Sequence, residues 1–192
     1  MKTEKKLLNT VLTALFAALI SASCFIQIPL PGGIPILIQD MLAMLSGLIL
    51  GPLQGGISVL IFLVLGSIGL PVFSGKAGIQ VIFGGPTGGF LIGYLLGAVA
   101  GGLFLKFLLP PESDFKTKKV YTIVMISISC IIATVVVFIA GIIGFKIVTS
   151  STMTKTFAAV LIPFIPGNLI KIVVMVPLTY NFRKVISVYR ES

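Results

Sequence analysis

The sequence predicts an all-α integral membrane protein, a single membrane domain over residues 1–192 with six transmembrane helices. Of the 192 residues, 57% are hydrophobic and only 10% are charged, and the mean hydropathy is +1.17. These values lie outside the range of soluble domains. Apolar stretches of about 20 residues, the length that crosses a bilayer, follow one another along the chain. Segments rich in proline and glycine separate them, and such segments interrupt helices.

The apolar runs define the helices in order. We expect them at residues 7–28, 35–50, 53–69, 85–109 and 119–145, and from near Thr156 towards the C-terminus. The first run follows lysines as in a signal peptide. It is too long for one and lacks a cleavage pattern of small residues, so we interpret it as a membrane helix. The second and third runs are short, which favours a tilted or irregular geometry.

The basic residues predict the orientation. With a cytoplasmic N-terminus, the inner segments hold ten of them: Lys2, Lys5, Lys6, Lys106, Lys116, Lys118, Lys119, Arg183, Lys184 and Arg190. The outer segments then hold only Lys76, Lys146 and Lys155. This positive-inside bias places both termini in the cytoplasm. The net charge of +9 is therefore a topology signal, and we expect no nucleic-acid partner.

Several functional classes lack the residues that they need. The chain has no histidine, and Cys24 and Cys130 lie in apolar runs without a CxxC partner, so we expect no metal site, no cofactor and no enzyme activity. The segment GLPVFSGKA at 69–77 fails as a phosphate-binding loop because its glycines are one residue too far apart and Ala77 replaces the hydroxyl residue. A stand-alone secondary transporter stays open as an alternative, although no internal repeat is evident and Asp40 is the only acid in a span.

The segment GGPTGG at 84–89 stands at the predicted outer end of the fourth helix. Glycine lets a helix or a ligand approach the backbone closely. Non-helical backbone at membrane depth occurs where it is buried in protein or lines a cavity. We therefore predict that this segment, with Gly85 and Gly88, forms the wall of a binding site. Helix packing is the alternative, and it suffices for Gly97 and the glycines that follow.

Two loop motifs, GLPVFSGKAG and GPTGGFLIGY, resemble the signature of the BioY family, the biotin-specific substrate-binding (S) components of energy-coupling factor (ECF) transporters. PILIQD at 35–40, GLILGPLQG at 47–55 and PFIPGNLIKI at 163–172 also match. The resemblance spans almost the whole chain. One departure is Asn168, which stands where the family usually has an aspartate.

The resemblance implies the six-helix ECF S-component fold in the cell membrane, as a multi-pass protein. It also implies a vitamin pocket near the outer face, closed by the loops between helices 1 and 2 and between helices 3 and 4. The transported ligand would be biotin, although another vitamin remains an alternative. The implied partners are a membrane coupling (T) protein and two cytoplasmic ATPases, which supply the energy.

Lys171 is the candidate for the central ligand contact. A lysine in mid-span is costly and usually faces a cavity or a partner, and Asn168 lies one helical turn earlier on the same face. The ammonium group can donate to the ureido carbonyl of biotin or pair with its carboxylate, and the sequence does not choose. The alternative is an ion pair with Asp40, which we consider less favoured because Asp40 is expected much nearer the outer surface.

Five further residues are candidates for ligand contacts. Gln39 offers a hydrogen bond, or is simply a polar residue at a helix end. Phe73 and Tyr94 are suited to pack on the bicyclic ring, with core or lipid-facing positions as the alternative. Ser74 and Thr87 are suited to the carboxylate, or are ordinary turn residues.

Ala14, Ala18 and Ala22 repeat every four residues along the first helix. A flat face of small side chains suits close contact between helices. The face packs either within this chain or on a partner. The family resemblance implies the partner, because S components dock on the coupling protein through such a face.

Overall fold

The computed structural model describes residues 2–28, 36–109 and 119–191. In these ranges the chain forms eight α-helices: α1 Lys2–Ala22, α2 Ile38–Leu50, α3 Pro52–Ser67, α4 Ile79–Phe83, α5 Gly88–Leu108, α6 Lys119–Thr149, α7 Met153–Val160 and α8 Ile165–Glu191. Two short 3₁₀ turns, Ser23–Phe25 and Ile162–Phe164, follow α1 and α7. The only strands in the described ranges are β1 (Gln27–Ile28) and β2 (Ile36–Leu37), which pair antiparallel.

Each of the six predicted apolar runs corresponds to helix, but several boundaries differ. The first helix ends at Ala22 rather than at residue 28, because the chain turns into a 3₁₀ segment and then β1. The last run is divided near Pro163 into α7 and α8, since proline lacks the N–H that would extend the hydrogen bonding of α7. Pro166 lies in the first turn of α8, where proline is tolerated. Helix α4 has five residues and was not predicted. The proline-containing segments 29–35 and 110–118, which the sequence predicts to interrupt the helices, lie outside the described residues.

Four helical segments of the described chain are long and apolar enough to cross a membrane: Glu4–Phe25, Gly88–Leu108, Lys119–Thr149 and Met153–Ile186. Helices α2 and α3 are shorter, with 13 and 16 residues. Leucine, isoleucine, valine and phenylalanine side chains are exposed along α1, α3, α5, α6 and α8. This outer surface is suited to lipid.

Helix α2 lies at the centre of the bundle and is buried from Ala43 to Leu50. It contacts α8 at both of its ends. Near the start of α2, Asp40 forms an ion pair with Lys171, and near its end the carbonyl oxygen of Leu48 accepts a hydrogen bond of 3.0 Å from Arg183. These two contacts fix the register of the helix that carries the predicted ligand-binding residues.

Helices α5 and α6 pack along a seam of glycines on α5, the α5–α6 glycine seam, made of Gly89, Gly93, Gly97 and Gly101. A Cβ added at Gly89 would lie 2.5 Å from the carbonyl oxygen of Ala140, and one at Gly93 would lie 2.9 Å from that of Val137. These distances are shorter than van der Waals contact, so no larger residue fits without moving the helices apart. The packing interpretation of the glycines from Gly97 onward agrees with this seam.

Candidate functional site

A cavity of about 290 Å³ lies between α2, α5, α6, α7, α8 and the segment that precedes α4. Its lining falls into three groups. Gln39, Asp40, Asn168 and Lys171 are polar and buried. Ser74, Lys76 and Thr87 are polar and exposed. The remaining lining residues are apolar or aromatic: Leu37, Phe73, Pro86, Phe90, Leu91, Tyr94, Val137, Phe138, Phe145, Ala159, Val160 and Phe164.

Lys171 and Asp40 form a buried ion pair in this cavity. The ammonium Nζ donates to both carboxylate oxygens, at 2.8 Å to Oδ1 and 2.6 Å to Oδ2. The backbone N–H of Met41 also donates to Oδ1. Lys171 is 5% exposed and Asp40 9%, so each charge is compensated where water is scarce.

This pairing corrects the expectation that Asp40 lies too far from Lys171. At 1.5 Å per residue, Lys171 lies about 9 Å along α8 and Asp40 about 3 Å along α2. The two helices run in the same direction, since Asp40 and Leu48 of α2 meet Lys171 and Arg183 of α8 in that order. The long lysine side chain covers the remaining difference in depth.

Gln39 and Asn168 border the ion pair, and each is anchored by a backbone carbonyl group. The side-chain amide of Gln39 donates to the carbonyl oxygens of Ile20 at 3.0 Å and Val72 at 2.8 Å. Both of its hydrogens are thereby used, and its Oε1 remains as an acceptor. Asn168 donates to the carbonyl oxygen of Phe164 at 2.8 Å, which also leaves its Oδ1 as an acceptor.

A tight turn, Phe73–Lys76, forms part of the exposed edge of the cavity. The backbone groups of Phe73 and Lys76 donate to each other at 3.0 Å in both directions. The two central residues, Ser74 and Gly75, have φ values of 51° and 82°, as in a type I′ turn. The ring of Phe73 is buried and packs edge-on against Phe62, with centroids 5.4 Å apart. The turn is therefore held firmly at the cavity.

The segment GGPTGG contributes to the cavity through its middle residues. Pro86 and Thr87 line it, whereas Gly85 and Gly88 do not. A Cβ at Gly88 would overlap the carbonyl oxygen of Ile82, and one at Gly85 would lie 2.5 Å from that of Val81. This corrects the prediction that these two glycines form cavity wall. Gly88 allows the start of α5 to lie against the backbone of α4, and Gly85 allows the turn after α4 to do the same, so together they hold Thr87 in place.

Seven of the nine residues predicted to bind the ligand line this cavity: Gln39, Phe73, Ser74, Thr87, Tyr94, Asn168 and Lys171. Sequence reasoning missed Asp40 as a lining residue, and also Lys76. It missed four aromatic side chains, Phe90, Phe138, Phe145 and Phe164. Phe90 stands four residues before the predicted Tyr94, one turn away on the same helical face, and that spacing was a usable signal.

The alanine face of α1 lies away from the cavity. Ala14, Ala18 and Ala22 are all exposed, so they do not pack within the described part of this chain. Of the two interpretations of their spacing, this exposure favours contact with a partner over packing within the chain, and the docking role stays a prediction.

The arrangement is that of a binding site with two different polar parts. The buried part is neutral overall, because the charges of Asp40 and Lys171 cancel, and it offers both donors and acceptors. The exposed part adds two hydroxyl groups and the ammonium of Lys76. Aromatic and aliphatic walls accompany them. Among the described residues, no group of histidine, cysteine and acidic side chains could hold a metal ion.

The chain is similar to proteins of one known family. The BioY family matches residues 1–188 of the chain. The biotin transporter BioY of Rhodobacter capsulatus is 37% identical, covering 96% of this chain and 95% of that protein. The biotin transporter BioY of Lactococcus lactis subsp. cremoris is 32% identical, with 91% and 92% covered.

A solved structure shares the fold. It is the 2.1 Å crystal structure of the S-component for biotin from an ECF-type ABC transporter. It superposes with a TM-score of 0.80 at 29% identity, covering 96% of this chain and 95% of that one.

Proposed function

The chain belongs to the BioY family, a family of membrane transport proteins, and on that premise we propose that it is the biotin-binding subunit of an ATP-driven ECF-type importer. The biotin transporters of Rhodobacter capsulatus and Lactococcus lactis subsp. cremoris described above each cover more than nine-tenths of this chain, and so does the S-component structure. The chain itself catalyses no reaction; it captures a vitamin that passes through the membrane.

The observation that carries this proposal is the neutral, buried ion pair in the cavity. The ureido group of biotin has two N–H donors and one carbonyl acceptor, and it is uncharged. Asp40 accepts from the N–H groups, and Lys171 donates to the ureido carbonyl. Asn168 and Gln39 each retain a carbonyl oxygen as a further acceptor. Because the ammonium is already neutralised by Asp40, we assign Lys171 to the ureido group rather than to the carboxylate.

The apolar walls match the rest of such a ligand. Phe73 and Tyr94 pack against the bicyclic ring, and Ser74 and Thr87 offer hydroxyl groups at the exposed edge. Gly85 and Gly88 act indirectly, through the turn that carries Thr87. A cavity of about 290 Å³ is large enough to enclose most of a ligand of the size of biotin.

The remaining proposals concern topology and assembly. All six apolar runs, including the shorter α2 and α3, lie within the cell membrane. Both termini face the cytoplasm, as the lysine and arginine distribution favours. The partners are a membrane coupling (T) protein and two cytoplasmic ATPases. The exposed face of Ala14, Ala18 and Ala22 provides a smooth surface on which the coupling protein docks.

The test of substrate identity is a titration of the purified chain in detergent with biotin, thiamine and riboflavin. We expect saturable binding of biotin, weak or no binding of the other two, and no ATP hydrolysis by the chain alone. Preferential binding of another vitamin would assign a different substrate to the cavity. Hydrolysis by a homogeneous preparation would overturn the assignment as a binding subunit.

The test of docking is the variant Ala18→Trp. We expect cells that carry the complete transporter to lose biotin uptake, while the purified variant keeps its biotin affinity within about twofold. Ile92→Trp on α5, which is also exposed but outside the alanine face, is the matched control and should keep uptake. Normal uptake by Ala18→Trp would place the docking surface elsewhere.

A further inference from the structure

Lys76 occupies a fixed position at the exposed edge of the cavity. It is the fourth residue of the Phe73–Lys76 turn, whose reciprocal backbone hydrogen bonds and buried Phe73 ring hold it there. The N–H of Gly78 also donates to the carbonyl oxygen of Gly66 at 2.8 Å, so the chain is tied to the end of α3 just after Lys76. The lysine backbone is therefore placed by structure on both sides.

The charges that line the cavity do not balance. Of the described residues that line it, three have side chains with full charges, namely Asp40, Lys76 and Lys171. Asp40 and Lys171 neutralise each other at 2.6 Å. The side chain of Lys76 has no hydrogen-bond or ion-pair partner among the described residues, and the residue is exposed. The cavity therefore has one uncompensated positive charge, and that charge lies at the solvent side.

We propose that Lys76 binds the carboxylate of the ligand, and that the ligand therefore enters with its neutral ureido ring first and its carboxylate outermost. This inference rests on the proposed function. The buried ion pair takes the uncharged end, since an additional anion beside Asp40 would lie unpaired in a poorly hydrated region. The aromatic walls pack against the ring, and the carboxylate of the ligand remains at the exposed edge, where both water and Lys76 contact it.

The orientation has a consequence for selectivity. An anion that stays at the hydrated edge loses little solvation on binding, so the ammonium adds a modest attraction that is screened by salt. Lys76 therefore discriminates between acids and their neutral derivatives, whereas the buried residues recognise the ring in both. Lys76 is a specificity residue whose effect depends on the charge of the ligand.

The experiment compares biotin with its neutral carboxamide on the purified wild-type chain and on Lys76→Gln, at low ionic strength. We expect Lys76→Gln to weaken biotin binding about three- to fivefold and to leave carboxamide binding unchanged. Lys76→Arg keeps the charge and should restore the preference for biotin. Lys155→Gln removes an exposed lysine of α7 that does not line the cavity, and it should affect neither ligand.

The outcomes test the role of Lys76 and the proposed biotin-binding function separately. Equal effects of Lys76→Gln on the acid and the carboxamide, or no effect on either, would overturn the role of Lys76 while leaving biotin as the ligand. Failure of the wild-type chain to bind either compound would overturn the proposed function itself. As a second readout, added salt should reduce the wild-type preference for biotin over the carboxamide and leave that of Lys76→Gln unchanged.

Discussion

Helix α5 separates two regions of the molecule that are built in opposite ways. Towards α6 it presents the α5–α6 glycine seam, where an added Cβ would lie within 3 Å of backbone or side-chain atoms of α6. Towards the cavity it presents Phe90, Leu91 and Tyr94, whose side chains form wall. The contrast teaches that glycine marks where helices touch, while ligand-facing surface in this fold is made of side chains. Changes in the seam should therefore affect folding first, and changes in the cavity should affect affinity first.

The largest effect is expected at Lys171, because this one residue contributes both to the stability of the fold and to the cavity. Lys171→Met leaves the carboxylate of Asp40 buried and without its partner, which should cost about 3–5 kcal/mol of unfolding free energy. It should also weaken biotin binding about ten- to a hundredfold through the lost charge-assisted hydrogen bond. Thermal unfolding in detergent and a biotin titration measure the two effects separately.

The double variant Asp40→Asn with Lys171→Met serves as the control for this prediction. It removes both charges, so most of the stability should return while biotin affinity stays low. A double variant that binds biotin like the wild type would show that the ion pair is purely structural. In that case the cavity would recognise its ligand through other groups.

The next effect should be confined to stability. Gly89→Ala would place a methyl group 2.5 Å from the carbonyl oxygen of Ala140 and 2.8 Å from the Cα of Gly144. Overpacking of this kind costs about 1–3 kcal/mol. The variant should unfold at a lower temperature yet, where folded, bind biotin like the wild type. Ile92→Ala, at an exposed position of the same helix, is the control, and equal melting temperatures of the two variants would contradict the packing of the seam.

The same contrast explains which features the sequence predicted. All six apolar runs appear as helix, because a long run of apolar residues can be recognised from composition alone. Five-residue α4 is too short for any apolar period to reveal it. The turn motifs were recognisable by their clustered glycines and prolines. Lys171 was recognisable because a charged residue is rare and costly within an apolar span. Seven predicted residues therefore line the cavity.

The errors share a physical origin, since they depend on relative helix positions. The pairing of Asp40 with Lys171 joins residues 131 positions apart in the chain, and it depends on how deep each helix begins. Whether Gly88 faces a cavity or the carbonyl group of Ile82 depends on where α4 lies. A single sequence specifies the composition of each helix but not these offsets. The sequence assigned Lys76 to a predicted outer segment but did not indicate that it lines the cavity.

A smaller effect should follow from loosening the turn that borders the cavity. Gln39→Leu removes the hydrogen bond to the carbonyl oxygen of Val72, which immediately precedes the Phe73–Lys76 turn. We expect a loss of about 1–2 kcal/mol in stability and a loss of affinity of about three- to tenfold. Gln80→Leu, at an exposed position of α4, is the control in thermal melts and titrations. A variant at Gln39 that loses stability but keeps full affinity would show that the turn is not needed in place for binding.

The smallest effect is expected at Tyr94, and it probes the cavity wall alone. Its side chain is 5% exposed and lines the cavity, and its hydroxyl group has no hydrogen-bond partner among the described residues. Tyr94→Phe keeps the ring, so the packing on the ligand and on α5 should be preserved and the melting temperature unchanged. Only one neutral hydrogen bond to the ligand can be lost, worth about 0.5–1.5 kcal/mol, or about two- to tenfold in affinity. Tyr121→Phe on α6, outside the cavity, removes only a long, exposed hydrogen bond of 3.5 Å to the carbonyl oxygen of Leu108 and should leave biotin affinity unchanged. If Tyr94→Phe instead lowers stability and spares affinity, this side chain belongs functionally with the α5–α6 glycine seam, and the division of α5 into a packing face and a binding face does not hold.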